Sequence, residues 1–277
     1  MGQNSTIRSY FETLRSAWGP QHWWPAESPF EVIVGAILTQ NTAWTNVEKA
    51  LSNLRRENTL SIEAIREIPL ADLEKLIQPA GFFRQKAARL KRFVAWLDER
   101  YGGSLAKMFA QPTQALRAEL LALNGIGPET ADSILLYAGQ HEIWVVDAYT
   151  RRILERHGLA KPDAKYDEIR STIESALRSR STHKAATAGP RPSLALEPGP
   201  GPAEEALIPT THPPSKMSET PRSTLAQHYN EFHALIVQVG KHYCQSLVAR
   251  CEECPLRPYL NGKTAEGKTA KRKPHGS

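Results

Sequence analysis

The sequence predicts an all-α fold with two lobes. Apolar residues recur at helical spacing in one segment after another, and short Gly, Pro or Asn breaks separate these segments. No alternating run is long enough to indicate a sheet. A chain of 277 residues exceeds the length of about 250 at which a single core tends to split. We therefore expect two helical lobes.

The predicted helices follow one another from Pro29 onward. In "PFEVIVGAILTQ" the apolar residues Phe30, Ile33, Val34, Ile37 and Leu38 share one face. The same periodicity returns in NVEKALSNLRR, SIEAIREI, ADLEKLIQ, RQKAARLKRFVAWLDERYG, PTQALRAELLAL and PETADSILLYAG. Two further amphipathic helices, YDEIRSTIESALRS and LAQHYNEFHALIVQVGKHY, are predicted to pack together although a long stretch separates them.

That stretch, residues 181–222, differs in composition from the rest of the chain. It contains nine of the 20 prolines and few apolar residues, too few to offset the entropy of ordering. We expect a disordered insertion there. The C-terminal segment 261–277 is basic and glycine-containing, which is typical of a flexible tail that adds nonspecific attraction to phosphates or has no role.

The bulk composition favours a soluble protein with a polyanionic partner. The net charge is +6 and the sequence pI about 9.2, which suits nucleic acid without establishing it. No run of about 18 apolar residues is present, and the N-terminus lacks the apolar segment of a signal peptide. We expect no membrane association, a monomer, and a cytoplasmic location, associated with the nucleoid if the source is bacterial.

Two short motifs carry the candidate chemistry. In "LNGIGPETA", Gly125 and Gly127 allow a tight reversal that exposes amide groups at the start of a helix, an arrangement that suits a phosphate. Pro128 fits the first helical turn. The alternative is that the glycines serve only the bend. Further on, the apolar run 143–146 leads to Asp147, which is a candidate catalytic carboxylate or simply an N-cap.

These motifs resemble the endonuclease III superfamily of DNA glycosylases. "LNGIGPETADSILLYA" followed by "VVDAYTRRIL" is similar to its helix-hairpin-helix, Gly/Pro-rich loop and aspartate signature. "SPFEVIVGAILTQNTAWTNV" and "IQPAGFFRQKAARL" resemble two other stretches of the family in the same order. The similarity covers residues 28–180 and resumes over 225–256.

The resemblance implies an architecture and a set of DNA contacts. A six-helix barrel would span 29–140, and a second helical domain would combine 1–28 with 141–260. Damaged double-stranded DNA would lie across the cleft, with Asp147 at its mouth. Gly125, Gly127 and Thr130 would contact the DNA, and Gln40 would enter the space that the flipped base leaves.

Glu129 determines the expected chemistry. Bifunctional members of the family carry a lysine at this position, whose amine attacks the sugar C1′ and forms a Schiff base. A carboxylate cannot form that imine. The resemblance therefore implies a monofunctional glycosylase of base-excision repair, in which water is the nucleophile and Asp147 stabilises the oxocarbenium-like sugar or orients the water.

The aromatic residues indicate which kind of damaged base the enzyme would release. "WWP" and "ILTQNTAW" resemble 3-methyladenine DNA glycosylase III, the alkyl-purine branch, which also lacks the lysine and has an aromatic residue at the position of Trp44. This resemblance implies that Trp23, Pro25 and Trp44 line a base pocket. Indole rings stacked on a base favour cationic alkylated purines. The alternative is that Trp23 and Trp24 are plain core.

Two other functions stay open. One is an endonuclease III-like enzyme that acts on uracil or thymine mismatches or on oxidised pyrimidines, with AP-lyase activity restored through another lysine. The other, from a different class, is a non-catalytic protein that binds damaged or structured DNA.

The three cysteines, Cys244, Cys251 and Cys254, are clustered near the C-terminus, which favours a metal site over disulfides. Their spacing resembles the Cys-x6-Cys-x2-Cys-x5-Cys motif that holds a [4Fe–4S] cluster in many endonuclease III relatives, but Leu260 occupies the fourth place. An incomplete cluster, a zinc ion or a metal-free vestige are all compatible with this pattern. A fourth ligand could come from His242, Glu252 or Glu253. Lys241 is a further candidate for the pocket or for phosphate binding.

Overall fold

The computed structural model describes residues 2–183 and 213–260, and these ranges are built from α-helices. The helices are α1 (Gln3–Trp18), α2 (Pro29–Leu38), α3 (Trp44–Arg56), α4 (Ile62–Glu67), α5 (Leu70–Leu76), α6 (Phe83–Tyr101), α7 (Leu105–Phe109), α8 (Thr113–Ala122), α9 (Pro128–Ser133), α10 (Ala148–Arg156), α11 (Tyr166–His183), α12 (Lys216–Glu219) and α13 (Thr224–His242). A π-helical turn, Ile134–Ala138, continues α9. Within the described ranges the β-structure is one isolated bridge, Cys244 with Ala249. The all-α prediction is confirmed.

The chain forms two compact units. The hairpin unit comprises residues 22–145 and 213–230, and the terminal unit comprises residues 2–21, 146–183 and 231–260. The division falls between Val145 and Val146, so that Asp147 is the second residue of the terminal unit after it. No helix in the described ranges is long and apolar enough to cross a membrane.

Helix α2 lies at the centre of the hairpin unit. Its nine residues from Phe30 to Leu38 are all buried, as expected for a helix that is apolar on every side. Ser28 caps its N-terminus by accepting a hydrogen bond from the Glu31 amide at 3.2 Å, and Pro29 occupies the first turn. The central helix thereby fixes the position of the residues that follow Leu38.

Part of the predicted insertion is ordered. Residues 213–222 were included in that segment by composition, but Met217 on α12 is buried and its amide donates to Ala26 O at 3.1 Å. Ser215 forms a capping box with Ser218 and donates its hydroxyl to Trp24 O at 2.9 Å. The expectation of disorder is therefore wrong for 213–222, because one buried methionine and a well-formed cap outweigh the proline content, and for 181–183, which are the last residues of α11. The rest of the insertion, 184–212, and the tail 261–277 lie outside the described residues.

The terminal unit joins distant parts of the sequence. Helix α1 buries Ile7, Tyr10, Phe11 and Leu14 on one face, and the Phe11 ring lies 5.4 Å from that of Phe232 on α13. Tyr10 also pairs with His157, at 2.6 Å between the hydroxyl and Nδ1. Burial lowers the pKa of His157 to about 4, so this imidazole is neutral at physiological pH.

Candidate active site

The hairpin turn connects α8 to α9. Gly125 has φ +92°, and a Cβ there would overlap the Arg89 side chain, whose Cδ would be 2.7 Å away. Gly127 has φ −91° and is the N-cap of α9, with open space where a Cβ would point. Only Gly125 therefore requires glycine for the fold itself. Gly127, Pro128 and Glu129 are exposed at the tip.

A polar network supports this turn. Gln40 donates from Nε2 to Gly125 O and to Thr130 Oγ1, both at 2.9 Å. Its Oε1 accepts from the Arg89 guanidinium, and Arg92 donates to Asn124 O at 2.9 Å. The structure therefore brings three of the predicted DNA-contacting residues, Gln40, Gly125 and Thr130, into direct contact. Gly127 lies beside them at the tip.

Buried charges hold the helices behind the turn. Arg117 on α8 donates to both carboxylate oxygens of Asp132 on α9, at 2.6 and 3.2 Å, and both side chains are buried. Lys86 on α6 is buried and donates to Leu38 O at 2.9 Å and Ala80 O at 2.8 Å. Burial, followed by the nearby Arg89 charge, lowers the pKa of Lys86 to about 8. This lysine ties the C-terminal end of α2, and so Gln40, to α6.

Asp147 is the N-cap of α10. Its Oδ1 accepts the Thr150 amide hydrogen bond at 2.7 Å, while its Oδ2 lies 3.7 Å from His233 Nε2. The preceding residues 143–146 are all buried, and the Val146 amide donates to the Tyr166 hydroxyl at 3.1 Å. The carboxylate is thus held at the end of a rigid segment with 12% of its side chain exposed. Asp147 is therefore an N-cap, and this role uses Oδ1 but not Oδ2. Oδ2 can therefore take part in a reaction.

Four aromatic rings form one cluster in the hairpin unit. The ring centroid of Trp23 lies 4.9 Å from that of Trp24 and 5.7 Å from that of Trp44, and Tyr137 lies 5.1 Å from Trp24. Trp24 is only 5% exposed, whereas Trp23, Pro25 and Trp44 are partly exposed. Trp24 therefore belongs to the core. The three residues predicted to line the base pocket present some surface.

The C-terminal cysteine loop is held by arginines. Arg156 donates to Cys244 Sγ at 3.2 Å, to Gln245 O at 2.8 Å and to Ser246 O at 3.0 Å, and Arg152 donates to Cys244 O at 2.7 Å. These bonds satisfy backbone carbonyls that would otherwise depend on water.

The residues present do not complete a four-ligand metal site. Leu260 stands at the fourth position, and the candidate replacements have other partners: His242 pairs with Gln238 at 3.1 Å, Glu252 with Arg257 at 2.5 Å, and Glu253 with Arg250. Burial, with the neighbouring Cys244 and Cys251 as smaller causes, raises the pKa of Cys254 to about 11. Over 2–183 and 213–260, no group of three or more His, Cys, Asp or Glu side chains is arranged to hold a metal ion.

Several site residues could not be recognised from the sequence pattern. His233 and Arg89 are distant in sequence from the groups that they contact. Glu48, on the exposed side of α3, accepts the Trp44 indole N–H at 2.9 Å. Phe82 is 62% exposed at φ +45°, immediately before α6. In the sequence, the neighbouring Gly81 indicates only a turn; the exposure of the Phe82 ring, which makes it a candidate contact residue, is seen in the structure.

Solved structures of DNA glycosylases share this fold. A 3-methyladenine DNA glycosylase from H. pylori, bound to 1,N6-ethenoadenine, matches with a TM-score of 0.64 at 27% identity, over 87% of this chain and 98% of that one. A non-covalent complex of endonuclease III with DNA matches with a TM-score of 0.66 at 21% identity, over 99% of this chain and 100% of that one. The fold is that of the two-lobed helix-hairpin-helix DNA glycosylases.

Sequence comparison identifies the family. The model of the HhH-GPD superfamily base excision DNA repair protein matches residues 34–179. The putative DNA repair glycosylase MJ1434 of Methanocaldococcus jannaschii is 39% identical over 93% of this chain and 96% of that protein. Endonuclease III of Thermotoga maritima is 33% identical over 48% of this chain and 58% of that protein.

The chain therefore belongs to the HhH-GPD superfamily of base-excision repair proteins and is a DNA N-glycosylase. The predicted family, fold and enzyme class are confirmed. The preferred base, the monofunctional chemistry and the roles of individual residues stay predictions.

Proposed function

We propose that this glycosylase releases alkylated purines from double-stranded DNA by hydrolysis and does not cleave the strand. The observation that carries this choice of base is the aromatic cluster in which Trp23 and Trp44 are partly exposed, packed on the buried rings of Trp24 and Tyr137. A cation over an indole gains roughly 0.5–2 kcal/mol when desolvated, and N-alkylated purines such as 3-methyladenine are cationic. The H. pylori relative, a 3-methyladenine glycosylase bound to 1,N6-ethenoadenine, supports a purine.

Glu48 strengthens this preference. Its carboxylate accepts the Trp44 indole N–H at 2.9 Å, which orients the ring and places a negative charge at its edge. A neutral pyrimidine gains little from such a charge, whereas a cationic purine is attracted to it; because Glu48 is exposed, solvent screens this attraction and keeps it modest. The pair therefore favours the alkyl-purine alternative over uracil, thymine or oxidised pyrimidines.

Asp147 is proposed to stabilise the charge that develops on the sugar. When the N-glycosidic bond breaks, the base leaves with the bonding electron pair, and a cationic base leaves as a neutral molecule. The sugar becomes oxocarbenium-like, and Oδ2 of Asp147 offers a fixed negative charge to it. Water then adds to C1′ and loses a proton. Because a cationic base is already a good leaving group, no additional general acid is needed.

The exposed hairpin tip is proposed to contact the DNA backbone. The first N–H groups of a helix have no intrahelical acceptors, and the helical segment 128–138 begins directly after Gly127. Phosphate contacts of this kind position the duplex without reading its sequence. The exposed ring of Phe82 is proposed to fill the space beside the flipped base, as apolar wedges do at unstacked steps. Gln40 joins it by exchanging its bonds to the hairpin turn and to Arg89 for contacts with the DNA.

The cysteine loop has no part in the proposed reaction. We propose that the contacts of Arg152 and Arg156 hold this loop in place of a metal, because Leu260 at the fourth position cannot serve as a ligand of an endonuclease III-type [4Fe–4S] cluster.

The role of Asp147 is tested by Asp147→Asn. Asparagine is as good an N-cap as aspartate, so the fold and the affinity for lesion DNA should be retained, while base release should fall by about 10²–10³-fold through loss of the charge. Single-turnover release of 3-methyladenine measures the rate, and fluorescence anisotropy measures the affinity. The exposed Asp163→Asn is the matched control. Unchanged release by Asp147→Asn would refute the assigned role. No release by either the wild type or the variant, with lesion DNA still bound, would favour a non-catalytic binding function.

A further inference from the structure

Helix α13 approaches the start of α10 very closely. A Cβ at Gly240 would overlap the ring of Tyr149, with Cγ 2.5 Å away, so glycine is what permits this contact. His233 lies seven residues earlier on the same helix, and a spacing of seven returns to the same face after two turns. The face of α13 that carries His233 therefore packs against the first turn of α10, where Asp147 is the cap.

The two carboxylate oxygens of Asp147 have different neighbours. Oδ1 is held by the Thr150 amide at 2.7 Å. Oδ2 lies 3.7 Å from Nε2 of His233, whose side chain is 7% exposed. This distance is longer than a hydrogen bond but close enough for an N–H dipole of the imidazole to interact with the carboxylate charge at a site with little water.

The charge state of His233 follows from its burial. Burial is the largest effect and lowers the pKa of His233 below its usual 6.5, while Asp147 acts in the opposite direction. Tyr149 on α10 has a raised pKa, mainly through burial and then through Asp147, and Arg152 opposes that shift. The imidazole is therefore neutral at pH 7, and it does not cancel the negative charge of the carboxylate.

We propose that His233 is a positioning residue for Asp147, presenting the N–H of its Nε2 tautomer to Oδ2 and so fixing the orientation of the carboxylate toward the sugar. The alternative tautomer would place a lone pair against a carboxylate oxygen, which is repulsive. An imidazolium would neutralise the charge that the oxocarbenium ion requires. This inference rests on the proposed catalytic role of Asp147.

The test compares two substitutions. Glutamine places an N–H donor close to the position of imidazole Nε2, whereas leucine fills similar volume without a donor. Single-turnover base release should fall about tenfold or more in His233→Leu, in line with loss of one oriented polar contact, and should stay within about threefold of wild type in His233→Gln. The affinity for lesion DNA should not change in either variant. His157→Leu removes another imidazole from the same unit and serves as the control.

A pH profile provides an independent readout. The wild-type rate should decline at acidic pH as His233 becomes protonated, and in His233→Gln the decline should move to lower pH. A profile that His233→Gln leaves unchanged would overturn the proposal even if His233→Leu does not fold. Equal rates for His233→Leu and wild type, or equal losses in both variants, would also overturn it. Asp147→Asn is measured in parallel: if it retains activity, the proposed function fails rather than this inference alone.

Discussion

Alanine should destabilise the protein at Gly125 but not at Gly127, the two glycines of the hairpin turn. At Gly125, φ is +92° and the new Cβ would overlap Arg89. A left-handed backbone costs roughly 1–2 kcal/mol for a residue with a Cβ. Displacement of Arg89 from Gln40 would cost about 0.5–1.5 kcal/mol more. The reduced entropy of the unfolded chain returns about 0.4–1 kcal/mol, which leaves a net loss of about 1–2.5 kcal/mol.

At Gly127 the same substitution meets no obstacle. The backbone is extended and no atom lies within 4 Å of the new Cβ. Stability should therefore stay the same or rise by about 0.4–1 kcal/mol. The proposed phosphate contact, however, needs a close backbone approach, so Gly127→Ala should weaken binding to lesion and undamaged duplexes by the same factor, because phosphate contacts carry no sequence information.

Urea unfolding followed by circular dichroism measures the stability of both variants, and fluorescence anisotropy measures their DNA affinity. Equal stability of Gly125→Ala and wild type would show that the left-handed backbone at Gly125 does not require glycine. The proposed phosphate contact is refuted if Gly127→Ala binds every duplex normally, or loses affinity for the lesion duplex alone.

Two further predictions concern packing and base selection. Arg117→Leu leaves Asp132 buried without its ion-pair partner, so the free energy of unfolding should fall by about 3–5 kcal/mol; a loss below about 1 kcal/mol in urea unfolding would mean that the pair is solvated. Glu48→Gln keeps an acceptor for the Trp44 indole but removes the charge, so the kcat/KM ratio for 3-methyladenine over the neutral base hypoxanthine should fall about two- to fivefold, as for a weakened cation–π contact at an exposed site. An unchanged ratio would contradict the electrostatic role of Glu48.

Local patterns were sufficient to predict most of the fold. The apolar periodicity of α2 and α6 and the caps around them depend on residues a few positions apart, and such signals are present in one sequence. The glycine turn and the N-cap at Asp147 are of the same kind. The ordered end of the insertion, 213–222, was missed because its order depends on the contact of Met217 with Ala26, which are far apart in the chain.

The supporting contacts of the site could not be predicted. His233 is paired with Asp147 across 86 positions of sequence, and no local pattern marks a histidine for that contact. Arg89 and Gln40 meet only because α2 and α6 pack side by side. The π-helical turn Ile134–Ala138 also has no signal in its apolar sequence. Tertiary packing, rather than propensity, determines these features.

Release of alkylated purines by water, without strand cleavage, is tested most directly by a borohydride trapping experiment. It uses duplexes that each carry one lesion, and base release and strand scission are scored separately. With Glu129 in place of the family lysine, we predict release of 3-methyladenine, no trapped adduct, and scission only after alkali. Release of a pyrimidine instead would favour the endonuclease III-like alternative. A trapped protein–DNA adduct would contradict hydrolysis by water, because it would require a protein amine to act as the nucleophile.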